Sequence, residues 1–171
     1  VNKMQKAGQW EKSKYILELG QRIYPYSADI QFLLAKAYKE LKDVTTAEAK
    51  LIIAAGLAPA YIEPVMDKVG LPEKNLTGAY YAVAWNSHYR GKFKNADKRF
   101  AQYFKNGGKY YVAYNGNGLN KLYLKKYSDA EGQFKKAIEV RKSTKGLEKL
   151  EYLDAEAYSG LGWTKYNQDD F

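Results

Sequence analysis

Phe93-Lys94-Asn95-Ala96-Asp97-Lys98-Arg99-Phe100 and Tyr127-Ser128-Asp129-Ala130-Glu131-Gly132-Gln133-Phe134 are two writings of one pattern, aromatic-x2-Ala-x3-Phe, set 34 residues apart. The same offset relates Tyr80-x2-Val83-Ala84 to Tyr114-x2-Asn117-Gly118. In a helix, Ala at i and Phe at i+4 lie on one face, so each copy presents a small residue beside a large one. Aromatic and small positions locked to one period are the mark of a chain built by stacking copies of a single supersecondary unit.

Working outward, the period extends towards the N-terminus. Trp10 and Val44, Ser13 and Ala47, and Pro25 and Pro59 are each 34 apart. Residues 1–26 read as the second half of a unit, with a stop at Tyr24-Pro25 and Ser27 or Asp29 as the next cap. Helices are expected over 28–41 and about 45–55, broken at Lys42-Asp43 and ended by Gly56 with Pro59 beyond. Ala47 to Ala96 is 49 residues, so residues 62–76, with Pro64, Pro72 and the turn Val69-Gly70-Leu71-Pro72, form an inserted segment with one short helix at Val65–Val69 and a possible hinge. Helix pairs 77–90 with 94–105 and 111–124 with 128–142 follow, broken at Gly91-Lys92 and Asn106-Gly107-Gly108. A second insertion precedes the last segment, since Gly118 to Gly162 is 44. No strand is expected. The expected division is residues 1–61, the 62–76 insertion and residues 77–171, with the first and last units incomplete, as in a fragment of a longer protein.

Composition sets outer bounds. A chain of 171 residues with 46% hydrophobic and 15% aromatic content folds around a core. The 17 Tyr against 6 Phe and 3 Trp suit helix faces that are half buried or that grip ligands. Lys+Arg exceed Asp+Glu by 28 to 19, a net charge of +9 that favours acidic partners without choosing among them. With no Cys, disulfides, thiolate catalysis and Cys-based metal sites are excluded. No apolar run approaches the ~20 residues of a membrane span.

These motifs resemble the tetratricopeptide repeat family, whose pattern is Trp-x2-Leu-Gly-x2-Tyr, Ala-x3-Phe and Pro over 34 residues. Tyr158-x2-Leu161-Gly162 matches the first part, with Lys165 where Tyr is usual. Gln31-x2-Leu34-Ala35-x2-Tyr38 with Ala47-x3-Leu51 and Pro59 matches a whole unit, and Ser13-x3-Leu17 with Pro25 a leading half. Tyr80-x2-Val83-Ala84 with Ala96-x3-Phe100, and Tyr114-x2-Asn117-Gly118 with Ala130-x3-Phe134, complete the set; Asn117 departs from the usual Leu. The resemblance implies an all-α, right-handed solenoid of antiparallel helix pairs. Small residues at Ala35, Ala84, Gly118 and Gly162 would let paired helices approach closely. It also implies a concave groove lined by the first helix of each pair, a scaffold role, and no catalysis.

The residues that the packing motif leaves over are the candidates for function. They are Tyr81, Trp85, His88 and Tyr89 on one helix, Asn115, Leu119, Leu122 and Tyr123 on the next, and Ser159, Trp163, Tyr166 and Asn167 on the last. An aromatic surface with a few amides suits a peptide's side chains or sugar rings, and it equally suits packing against a neighbouring unit. Some members of the family clamp a terminal carboxylate with Lys and Asn, and the equivalent positions (Tyr81 and Trp85, Phe32 and Lys36, Asn115 and Leu119) do not fit that use. His88 is the only His and has no acid close in sequence, so neither a metal centre nor a Ser-His-Asp site is expected, and no cofactor. Gly116-x-Gly118 lies inside a helix and is not a phosphate loop; Gly116 opens a gap at the backbone.

Charge is uneven. Arg90, Lys92, Lys94, Lys98 and Arg99 form a basic patch, continued by Lys105 and Lys109, against Asp97 alone. Glu151, Asp154, Glu156, Asp169 and Asp170 face only Lys165. The basic cluster is either a solvated face or a dock for an acidic partner. The expectation is a non-enzymatic scaffold that binds a protein or peptide. The alternatives are a carbohydrate-handling module of a bacterial envelope system and an anionic-polymer binder, with nucleic acid disfavoured for want of a reading motif. Self-association is a further expectation.

Overall fold

A computed structural model describes residues 1–168, and the acidic Asp169 and Asp170 lie outside the described residues. The described residues form ten α-helices, short 3-10 turns and no strand. They are α1 (Asn2–Lys6), α2 (Trp10–Ile23), α3 (Ala28–Glu40), α4 (Val44–Leu57), α5 (Pro59–Ile62), α6 (Thr77–Tyr89), α7 (Phe93–Lys105), α8 (Tyr111–Tyr123), α9 (Tyr127–Ser143) and α10 (Ala155–Gln168). No helix among them is long and apolar enough to cross a membrane.

The helix breaks repeat one hydrogen-bonded turn. At Lys42, its N–H donates to the Lys39 carbonyl (3.0 Å) and the Asp43 N–H donates to the Tyr38 carbonyl (2.9 Å). The same pair recurs around Gly8, Gly91 and Lys125, each in the left-handed region with φ between 57° and 71°. This is the Schellman arrangement, in which a left-handed residue after the helix satisfies its last carbonyls. Gly8 to Lys42 and Gly91 to Lys125 are both 34 residues, so the period seen in the side chains is also present in the backbone. Glycine adopts this conformation freely; Lys42 and Lys125 do so at a cost of about 1–2 kcal/mol each.

The chain divides into two compact units, residues 1–83 and 84–171, with the division falling inside α6. In the first, α2, α3 and α4 pack in succession around Leu17, Leu34, Ala35, Ala47, Leu51 and Ala54. The Ser27 hydroxyl caps α3 by accepting from the Ile30 N–H, and the Asp43 carboxylate caps α4 by accepting from the Thr46 N–H. The Tyr38 hydroxyl donates to Glu18, and burial with that carboxylate pushes its pKa up to about 12. Residues 62–76 fold back onto this unit. A 3-10 turn at Met66–Val69 meets α3 and another at Glu73–Leu76 meets α4; Ile62 and Met66 are fully buried, and Asn75 Nδ2 donates to Glu48 Oε2 at 2.7 Å.

In the second unit α7, α8, α9 and α10 pack in sequence order. Its core is the fully buried Phe134 of α9 with Ala130, Ala137 and Ala157, flanked by Tyr114, Leu119, Leu122, Ile138 and Leu161. Glycine is required at two places beside that ring: a Cβ at Gly118 would stand 2.6 Å from Phe134, and one at Gly160 would stand 2.3 Å from it. Gly162, expected from the motif to be a contact position, has nothing within 4 Å of its Cβ direction. The correction has a plain cause. Gly160 and Thr164 face α9, while Gly162 and Tyr158 fall on the side of α10 that no described helix covers.

The 144–150 connection is held from inside. Arg141, fully buried at the end of α9, donates through Nε to Asp154 Oδ1 at 2.9 Å and through Nη2 to Asp154 Oδ2. Its Nη1 donates to the carbonyls of Leu147 (3.0 Å) and Glu148 (2.8 Å). One guanidinium thus ties the connection to α9 and to the start of α10, with its charge matched and four of its five donors engaged.

Candidate functional site

The helical face Leu119, Leu122 and Tyr123 of α8 stands across from Trp163 and Asn167 of α10. With Lys125 from the α8–α9 turn and Tyr127 at the start of α9, these residues line an open hollow of about 510 Å³. Spacing of three and four residues places each set on one side of its helix. The lining is mostly apolar and aromatic, with Lys125 and Asn167 as its charged and amide members. A second hollow of about 400 Å³ continues along α10, lined by Ser159, Gly162, Trp163 and Tyr166. Trp163 belongs to both, is 61% exposed, and meets the Tyr166 ring edge-on at 6.1 Å.

Tyr123 links the first hollow to an aromatic cluster. Its ring lies flat on Phe93, with centroids 4.5 Å apart, and edge-on to His88 at 5.6 Å. His88 is buried, with Nδ1 3.5 Å from Asn120 Oδ1. Since Asn120 Nδ2 already donates to the Phe93 carbonyl, its oxygen faces His88 as an acceptor and favours the Nδ1–H tautomer. Burial lowers the His88 pKa below the ordinary histidine value; the Asn120 hydrogen bond and the Glu156 charge oppose that shift. The neutral ring serves as a packing element.

The structure therefore separates the sequence candidates. Tyr123, Trp163 and Tyr166 line open hollows, with Leu119, Leu122, Ser159 and Asn167 beside them. Trp85 lies against α8, where a Cβ at Gly116 would stand 2.4 Å from its ring, so what approaches the Gly116 backbone is Trp85 itself. Tyr89 is exposed and stacks on Trp85 at 5.3 Å, and Tyr81 is half-buried. Asn115 and His88 are corrected from groove-facing to buried positions, Asn115 because its Nδ2 donates to Glu156 Oε2 at the start of α10 (3.1 Å). Lys125 and Tyr127 were not separable in sequence, since both fall in the repeat's turn and packing pattern.

Part of the basic patch lies beside this site. Gly91 and Lys92 of the α6–α7 turn and Phe93, Lys94 and Asn95 at the start of α7, with Leu124, line a third hollow of about 520 Å³. Arg90 and Lys98 are exposed, and Arg99 Nη1 donates to Gln102 Oε1 at 2.9 Å. The nearby acids are already engaged: Asp97 pairs with Lys121 (2.6 Å) and Lys126 (3.4 Å), and Asp129 meets Lys121 at 3.8 Å. Among the described residues no three His, Asp or Glu side chains converge as a metal site. No protein-family model matches the chain, and no curated protein is similar to it at a significant level.

Proposed function

We propose that the chain is a tetratricopeptide-type α-solenoid, a non-catalytic scaffold that holds an extended segment of a partner protein in the α8–α10 groove. The recurring left-handed turn and the Ala-x3-Phe packing pairs support the repeat assignment. The observation that carries the binding assignment is the hollow between Leu119-Leu122-Tyr123 and Trp163, which the hydrophobic core of the unit leaves open. A Trp more than half exposed on a helix face, beside two further exposed tyrosines, is apolar area that gains stability when covered.

Energetics favour a string of contacts over a single one. Seating one aromatic anchor of ~150 Å² at ~25 cal/mol per Å² yields about 4 kcal/mol. Lost translational and rotational freedom opposes association by a similar or larger amount, on the order of 4–15 kcal/mol. Two adjoining hollows that share Trp163 supply the further anchors that an extended peptide, with side chains at regular spacing, is able to fill.

The test is selection of a random short-peptide library on the immobilised chain, followed by anisotropy titration of labelled selected peptides. Trp163→Ala is expected to weaken binding at least about tenfold while circular dichroism keeps its helical signal. Full binding by the Trp163→Ala chain, or no selected peptide at all, rejects the groove. Competition by a short glycan for the same peptides would instead give the groove to sugars.

A further inference from the structure

The groove and the basic hollow share a wall. Tyr123 lines the first, Phe93 lines the other, and the two rings are stacked face to face. Leu124, which lines the basic hollow, and Lys125, which lines the groove, are consecutive residues of one turn. A ligand crossing the Tyr123–Phe93 stack thus passes from an apolar, aromatic surface to one that carries Lys92 and Lys94. The cations here are uncompensated. Lys121 and Lys126 engage Asp97 and Asp129, whereas Lys92, Lys94, Lys125 and Arg90 have no carboxylate partner among the described residues.

From this juxtaposition we infer that the site is specific for acidic peptides, taking an aromatic or aliphatic side chain beside Trp163 and a carboxylate of the same segment beside Lys92 and Lys94. The inference rests on the peptide-binding reading of the groove and adds the chemistry of its ligand. Charge complementarity of this kind raises the association rate and excludes basic segments; the apolar hollow fixes register. The division of labour distinguishes a peptide from a plain polyanion, because a polyanion uses the lysines without the Trp163 hollow.

The experiment selects the same random library on three targets: the unaltered chain, Lys92→Glu with Lys94→Glu, and Trp163→Ala. Peptides from the unaltered chain are expected to pair Asp or Glu with a Trp, Phe or Leu a few residues away. Their affinity is expected to fall about tenfold on the charge-reversed chain and to drop steeply with added salt. Replacing their Asp and Glu by Asn and Gln should produce a loss of similar size on the unaltered chain and none on the charge-reversed one. Selected peptides without acidic enrichment, or equal affinity for the charge-reversed chain, overturn the inference and leave the groove standing. Absence of any selected peptide removes the groove reading itself. If polyaspartate binds the unaltered and Trp163→Ala chains as tightly as the selected peptides bind the unaltered chain, the lysines bind anions without the groove, and the inference fails.

Discussion

Substituting Ala for the two glycines of α10 that lie near its middle, Gly160 and Gly162, should move stability in opposite directions. At Gly160 the new methyl would stand 2.3 Å from Phe134 Cζ and 2.4 Å from Cε1. That ring is fully buried among Ala130, Ala137 and Ala157 and also abuts Gly118, so it has little room to give way. Overpacking of this kind costs about 1–3 kcal/mol, offset by the ~1 kcal/mol that Ala gains over Gly inside a helix. The net expectation for Gly160→Ala is a loss of up to roughly 2 kcal/mol. At Gly162 the methyl meets nothing within 4 Å, so only the propensity gain of about 0.5–1 kcal/mol remains. The propensity gain is common to both sites, so the two variants should differ by the overpacking cost, roughly 1–3 kcal/mol, or a Tm gap on the order of 2–12 °C for a chain of this size. Thermal and urea unfolding followed by far-ultraviolet circular dichroism measures both. A destabilised Gly162→Ala beside an unaffected Gly160→Ala would show that α10 presents its other side to Phe134 and would refute this packing.

Other perturbations probe different parts of the fold. Asp154→Ala leaves Arg141 buried without its partner and should cost about 3–5 kcal/mol in urea unfolding, whereas joint replacement of both by Leu should cost much less. Lys125→Gly relieves a left-handed backbone at φ 57° and should stabilise by roughly 0.5–1 kcal/mol, with Ala at the same site giving no such gain. The depressed His88 pKa means that the unfolded chain takes up this proton first as pH falls below about 6.5. The contribution of neutral His88 should therefore be fully present above that value and lost as pH drops towards the folded pKa; a His88→Phe chain should show a shallower decline in denaturation midpoint over the same range.

Helix positions were legible because each break is written locally, as Lys42-Asp43, Gly91-Lys92 and Asn106-Gly107-Gly108, between runs of good helix formers. What was not legible depends on neighbours distant in sequence. Trp85 and Trp163 each follow the small residue of the motif, Ala84 and Gly162, and nothing local tells them apart. Trp85 packs because Gly116 opens α8 beneath it, while Trp163 has no such neighbour and borders the groove. The Arg141–Asp154 pair, 13 residues apart across an irregular connection, follows no helical or repeat spacing. The short helix expected at Val65–Val69 is present as a 3-10 turn at Met66–Val69, but Pro64 and Pro72 mark 62–76 only as a break in the repeat, and nothing local shows that Ile62, Met66, Val69, Leu71 and Leu76 are buried where the chain folds back on its own unit.

The central claim is that a partner segment lies against Trp163. The chain carries three Trp, and ¹H–¹⁵N spectra resolve their indole N–H signals individually once each is assigned by substitution. On titration with a selected peptide the Trp163 signal should shift progressively to saturation, with Trp10 unmoved and Trp85 moving little. Saturable binding that shifts Trp10 alone, or that leaves the Trp163 signal in place, would contradict the account.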